Sequence, residues 1–291
     1  MTGILPVLYL LLIIYAVYAN TKDQNKQLIA GGTLANPGDL PHQVLLYYQD
    51  PDTLTQKTCG GAMINSQWIM TAAHCFETST DASKYFVIAG ETNIVNKVRH
   101  RVTKIVRHPN FIVKQNINDI ALAKLDTTLQ ETSTLKYVNI PNTISNLNTG
   151  NLLWISGWGV FMDGTVPNDL YKAQIPLQPQ TFCTDYFYAQ NYSPSYFICA
   201  GDGLGKDSCQ GDSGGSIVQK DNINDTRWTS YGITSYGPTG CGDKGSVGAY
   251  ARVDIHSQWI NATALISSAS HHISHVTTIT LILLCCVILN F

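Results

Sequence analysis

Between residues 29 and 253, short Val/Ile/Tyr/Trp runs alternate with Gly/Pro/Asn turn clusters, and this rhythm narrows the fold more than any single residue does. The runs are HQVLLYY (42–48), AMINSQWIM (62–70), KYFVIAG (84–90), HRVTKIVRH (100–108), DIALAKL (119–125), LLWISGWG (152–159), SIVQK (216–220), RWTSYGITSYG (227–237) and GAYARV (248–253). A spacing of about 10 to 20 residues with turn residues between is the pattern of all-β sandwiches and barrels. The 15 tyrosines, 23 glycines and 11 prolines favour the same short strands and tight turns over long helices. No internal repeat or heptad run is visible, which excludes solenoids and coiled coils. The stretch 127–150 is polar, rich in Thr and Asn, and lacks strand pattern, so it reads as a crossing between two β-domains. Near the end, Ile255, Trp259, Ile260 and Thr263 share one helical face, which predicts a short closing helix with Asn261 pointing outward.

Charge removes one class of function. Lys plus Arg number 18 and Asp plus Glu 20, a net charge of −2, so the chain lacks the basic excess needed to bind nucleic acid by neutralising phosphates. With 13% charged and 44% apolar residues it can build a sizeable core and is not intrinsically disordered.

The two ends carry a different signal. Residues 4–17 (ILPVLYLLLIIYAV) are almost wholly apolar and lead to the small Ala19, which predicts a secretory signal over 1–19, although no Lys or Arg precedes the run. A membrane anchor would use about 20 apolar residues. At the other end, Ser267–Ser270, the spacer HHISHVTT and the apolar 279–291 have the layout of a GPI-attachment signal over 267–291. A retained tail anchor, or a tail that is packed or trimmed, competes with that reading. The secretory route predicts an extracellular protein, tethered to the outer face of the plasma membrane if the GPI signal is used. Three sequons, at Asn191, Asn224 and Asn261, are candidate glycosylation sites on that route. Of the eight cysteines, Cys285 and Cys286 sit in the apolar tail. The other six, Cys59, Cys75, Cys183, Cys199, Cys209 and Cys241, suggest disulfides, but counting alone does not choose among the pairings.

The chemistry concentrates in residues 205–215, GKDSCQGDSGG. Glycines on both sides of Asp212 and Ser213 allow conformations closed to residues with a Cβ, so successive N–H groups can converge on one point. A serine held there can act as a nucleophile, with the Gly211 and Ser213 amides stabilising an oxyanion. The same composition also makes an ordinary turn. His74, in TAAHC at the end of an apolar strand, could serve as base, or be a loop histidine beside a disulfide. Asp119, opening DIAL, could orient the imidazole, or simply begin a strand.

Taken together the segments resemble the chymotrypsin/trypsin family of secreted serine proteases over about residues 29–266. The matching segments are IAGG (29–32), CGG (59–61), TAAHC (71–75), DIAL (119–122), SGWG (156–159), GDSGG (211–215) and SYG (235–237), all in the family's order. The resemblance implies two antiparallel six-stranded β-barrels with a C-terminal helix, and a catalytic triad of His74, Asp119 and Ser213 in the cleft between them. It implies Ser235 hydrogen-bonded to Asp119, and disulfides Cys59–Cys75, Cys183–Cys199 and Cys209–Cys241. It also places Asp207 at the floor of a specificity pocket walled by Gly237 and Gly248, with Ser208 beside the acid and Ser235 and Tyr236 among the substrate-binding residues, which predicts cleavage after Arg or Lys. The expected partners are protein and peptide substrates, protein inhibitors and an activating protease, with a monomeric enzyme and no cofactor. Chymotrypsin-like or elastase-like specificity, or an inactive homologue acting as a binding protein, are the alternatives.

Three departures from the family pattern stand out. The family's zymogens are cut after Arg or Lys to free an N-terminus whose ammonium pairs with the aspartate before the nucleophile, here Ile29 and Asp212 after a propeptide over 20–28. Leu28 precedes Ile29 and Lys26 lies two positions too early, so activation calls for a chymotrypsin-like protease, or for trimming after a cut at Lys26. Tyr236 stands where trypsins commonly carry tryptophan, beside a slightly longer Pro238-Thr239-Gly240 loop. Finally, residues 91–101 are short and basic where calcium-binding members carry an acidic loop, so no metal site is expected; His271, His272 and His275 lie in the polar spacer and do not suggest zinc.

Overall fold

The computed structural model describes residues 31–159, 167–190, 192–222, 225–238 and 240–264. Its first half contains β1 (Thr33–Leu34), β2 (Gln43–Gln49), β3 (Gln56–Met63), β4 (Trp68–Thr71), β5 (Tyr85–Ala89), β6 (His100–Arg107) and β7 (Ala121–Leu125). Strands β2-β3-β4-β7-β6-β5 close into an antiparallel barrel. Along β2, Val44, Leu46 and Tyr48 point into that barrel with Phe76, Val87 and Val102, while Leu45 packs outward with Ile88 under Trp158 and Leu170. Both faces of β2 are covered, which is why its sequence shows a continuous apolar run and not an alternating one. The run 62–70, read as one strand, is two. Asn65 Oδ1 accepts from the Gln67 and Trp68 amides, both at 3.0 Å, and this side-chain turn separates β3 from β4.

The second half contains β8 (Leu152–Gly157), β9 (Tyr171–Pro176), α1 (Gln180–Tyr186), β10 (Phe197–Ala200), β11 (Ser216–Gln219), β12 (Thr229–Tyr236), β13 (Gly248–Arg252) and a final helix, α2, over 257–264. Here the expected second six-stranded barrel is seen only in part, its six strands running β9-β8-β11-β12-β13-β10. The strands form a seven-stranded sheet in the order β1-β9-β8-β11-β12-β13-β10. The ends of β9 and β10 meet at the bridge Leu177–Ala200, flanked by Gln178 N to Cys199 O at 2.9 Å and Gly201 N to Pro176 O at 3.0 Å. The open edge of β9 instead takes β1, pairing Thr33 with Lys172. Residues 127–150 cross between the halves without strand structure, touching the second sheet at the bridge Asn139–Thr229.

A shared apolar cluster joins the halves: Met70, Ile120 and Leu122 from the barrel pack with Phe197, Ile233, Val253 and Ile260. The closing helix exists, but its buried face is shifted from the expected one. His256, Ile260 and Ala264 are buried, whereas Ile255 is 41% exposed. The cause is the 3-10 turn Asp254–His256, which changes the angular phase before the α-helix begins. Asn261 is exposed, as expected. The sequons at Asn191 and Asn224, Ile29 and the residues from 265 onward lie outside the described residues. Among the described residues no helix is long and apolar enough to cross a membrane.

Candidate active site

His74 sits in the 3-10 turn Ala73–Phe76 directly after β4, and the Cys59–Cys75 disulfide ties that turn back to β3. Asp119 stands just before β7. Asn118 adopts a left-handed conformation there, φ 56°, which asparagine tolerates better than most residues, and its side chain bonds Asn110 O at 2.9 Å. The Asp119 carboxylate is fully buried and has three donors. His74 N reaches Oδ1 at 2.9 Å, while His74 Nδ1 at 2.7 Å and Ser235 Oγ at 2.6 Å both reach Oδ2. Burial works to lower the pKa of His74, but the charge and hydrogen bond of Asp119 outweigh it, and the imidazole titrates above its ordinary value.

Ser213 comes from the other half, in the loop before β11. Gly211 and Gly214 hold φ values of 92° and 83°, closed to other residues without strain. The loop is anchored by Gly214 N to Thr234 O at 2.8 Å and by Gly60 N, from the barrel, to Ser213 O at 2.7 Å. Ser213 and His74 line one cleft of about 410 Å³, together with Lys57, Thr58, Glu77 and Thr78. Among the described residues the Gly211 and Ser213 amides donate to no backbone acceptor.

On the other side of Ser213 lies a cavity of about 220 Å³ lined by Ser208, Gln210, Thr234, Ser235, Tyr236, Gly237 and Pro238. A Cβ on Gly237, which lines this slot, would come within 3.8 Å of Gly248 Cα; neither Gly248 nor Asp207 is among the lining residues. Ser208 Oγ approaches Tyr250 Oη at 3.3 Å. Asp207, next in the chain, is 2% exposed and its Oδ1 has no partner among the described residues. Burial pushes its carboxyl up to about 6. Asp212 is equally buried, accepts from Gly159 N at 2.9 Å and Cys209 N at 2.8 Å, and is pushed up to about 7 by burial. Among the described residues, neither carboxylate has a cation beside it.

All three expected disulfides are present, Cys59–Cys75, Cys183–Cys199 and Cys209–Cys241. The cluster Cys59, His74 and Cys75 has the proximity of a metal site, but both sulfurs are bonded to each other and His74 Nδ1 is engaged by Asp119. The sequence reading missed Lys57, Thr58 and Thr234 as cleft residues, because nothing local distinguishes a strand residue that happens to face a cleft. Gln210 was also missed, although its place inside the glycine-rich loop was a usable signal.

An imidazole held by a buried carboxylate, beside a serine in an amide-lined loop, can run acyl transfer. Comparison with known proteins agrees. The family model for trypsin matches residues 29–260. Ovochymase of Halocynthia roretzi is 32% identical over 255 residues, covering 85% of this chain. The chain spans only 16% of that relative's length. Since the matched span begins before β1, runs through both halves and ends inside the closing helix, the chain belongs to the chymotrypsin/trypsin family of serine proteases.

Proposed function

We propose that the protein is a trypsin-like serine endopeptidase that cleaves after Arg or Lys and is made as a secreted zymogen. The observation that carries the specificity is Asp207, a buried carboxylate with an unpartnered oxygen, one residue before Ser208, which lines the slot beside Ser213. An isolated charge there is costly, and a long cationic side chain entering the slot would relieve it. Tyr236 would form the wall along which substrate backbone lies.

In this reading Ser213 Oγ attacks the scissile carbonyl carbon and its proton passes to His74 Nε2, which is free because Nδ1 is committed to Asp119. The carbonyl oxygen, now negative, is met by the Gly211 and Ser213 amides. His74 then protonates the leaving amine as the C–N bond breaks, and a water, deprotonated by His74, hydrolyses the ester. Ser235 holds Asp119 in place. Activation follows from Asp212: cutting before Ile29 would supply an ammonium for this second buried carboxylate. Gly31, two residues on, lies against Gly205 and Lys206, close to the loop concerned. Three disulfides suit an extracellular setting, and the exposed Asn261 suits glycosylation. The 267–291 segment would supply the membrane tether.

The test compares kcat/KM on matched peptides with Arg, Lys, Phe, Leu or Ala at the cleaved position, using chain beginning at Ile29 beside a Ser213→Ala control. Turnover of Arg and Lys substrates, absent in the control, is expected. Turnover of Phe or Leu instead would keep the protease and discard the Asp207 pocket. A folded chain with no turnover would make it a binding protein.

A further inference from the structure

Charge is unevenly distributed over a chain whose net charge is −2. From residue 92 to 125 there are seven Lys or Arg (Lys97, Arg99, Arg101, Lys104, Arg107, Lys114, Lys124) and one carboxylate, Asp119, which is fully buried. Part of this charge gathers on the outer face of the barrel. Lys104 on β6 pairs directly with Lys124 on β7, an arrangement of like charges that weakens a sheet. Arg101 stands opposite Phe86 on β5, and Phe86 opposite Tyr47 on β2. The guanidinium of Arg99 lies over the Tyr47 ring, 4.9 Å from its centre. Among the described residues, none of Arg99, Arg101, Lys104 and Lys124 is in an ion pair. Two acids border the face: Glu91 pairs with Lys97 at 2.8 Å, and Asp126, whose amide donates to Arg101 O at 3.0 Å, accepts from Thr127 Oγ1 at 2.7 Å, so the four cations outnumber the one acid beside them.

This face is continuous with the active-site cleft. Tyr47 pairs with Thr58 on β3, and Thr58 and Lys57 line the cleft beside His74 on the side of Ser213 away from the Asp207 slot. In the protease reading, with the cleaved side chain in the slot, that side would take the part of the substrate C-terminal to the cleaved bond. The aromatic rings between the cations, and Val98 at 70% exposed among them, favour a polypeptide over a sulfated glycan, because they offer apolar contact as well as charge.

We infer that the outer face of the barrel around Arg99, Arg101, Lys104 and Lys124 binds an acidic segment of the protein substrate, C-terminal to the cleaved bond. This rests on the protease reading above. The test uses the full chain activated at Ile29 and three substrates: a short Arg peptide ending in a chromophore at the scissile bond, the same peptide extended past that bond by about ten residues rich in Glu, Asp and Phe, and a control with Gln and Asn in place of the acids. The acidic extension is expected to raise kcat/KM about five- to tenfold over its amide control, through KM. The gain should collapse in about 0.5 M salt and in an Arg99→Gln/Arg101→Gln/Lys104→Gln variant, while that variant cleaves the short peptide like the parent. Equal rates on the acidic and amide peptides, or a gain that survives in the variant, would overturn the inference and leave the protease reading intact. So would binding of a sulfated oligosaccharide without any gain from the acidic peptide. Failure to cleave the short Arg peptide would overturn both.

Discussion

Asp119 makes three hydrogen bonds, with partners 45 and 116 residues away in the chain. Its chemistry can be tested through the acidity of His74. The imidazole must be neutral to accept a proton, so activity falls as the pH drops through its raised pKa. Asp119→Asn removes the charge that raises it and leaves the burial that lowers it. The acid limb of the kcat/KM profile should therefore move to lower pH, while kcat falls by about 10⁴, as such a change does in the family's template enzyme. A limb that stays in place would discount the pairing. Asp207 gives a second test. Its free carboxyl is pushed up to about 6, so a small guanidinium or amidinium ligand should bind well above that pH and progressively less below it. Calorimetric titration across pH 4 to 8 measures this, and Asp207→Ser should abolish both the affinity and its pH dependence. These residues were visible in the sequence only as members of a set: a lone Asp before an apolar run looks like any strand opener.

The elements matter because they carry those side chains to one place. Gly214 has a left-handed φ, and a Cβ on it would lie 2.1 Å from Thr71 Oγ1 and 2.7 Å from Gly60 O. Thr71 Oγ1 is itself fixed to Gly60 O at 2.8 Å, so the obstacle is rigid. Gly214→Ala should destabilise the protein by at least about 2 kcal/mol and reduce kcat, since relief requires moving Ser213. Chemical denaturation with parallel kinetics would show both. The disulfides should separate by position. Cys183–Cys199 ties α1 to β10, away from Ser213, and closes a separation of 16 residues. Its double alanine variant should lose about 3 kcal/mol and keep kcat near the parent's. Loss of Cys209–Cys241, whose two cysteines line the slot, should instead raise KM for Arg substrates. Strands β2 and β7 were legible from apolar runs, and β12 from its Thr, Tyr and Ile content, and all three are buried over most of their length. β9 was not, because Lys172 and Gln174 interrupt a run whose buried face is only Ala173 and Ile175.

At the scale of the whole molecule, the two halves supply different parts of the site. His74 and Asp119 come from the barrel, Ser213 and Ser235 from the sheet, and the Gly60 to Ser213 bond crosses between them. The proposed activation belongs to this scale, because Ile29 precedes both halves in the sequence and Asp212 lies in the loop before β11 that carries Ser213. With its carboxyl pushed up to about 7 and no cation beside it among the described residues, Asp212 makes the uncut chain less stable as pH rises from about 4 to about 7. A paired ammonium would hold that pKa down and remove the loss. The difference in melting temperature between the Ile29 chain and the uncut chain should therefore widen over that range. A constant difference would argue against the pairing.

The order of motifs, the rhythm of short strands, the crossing at 127–150 and the glycine-rich loop were all readable along the chain. Each depends on neighbours within a few residues: backbone freedom at glycine, and apolar runs that must be buried. The open seven-stranded second sheet, the shifted face of the closing helix and the break between β3 and β4 were not. They depend on which edge finds a partner and on how a single turn resets the phase of the next element. The basic face continuous with the cleft is of the same kind, since Tyr47, Phe86, Arg101 and Lys124 become neighbours only when the barrel closes and strand register sets them side by side.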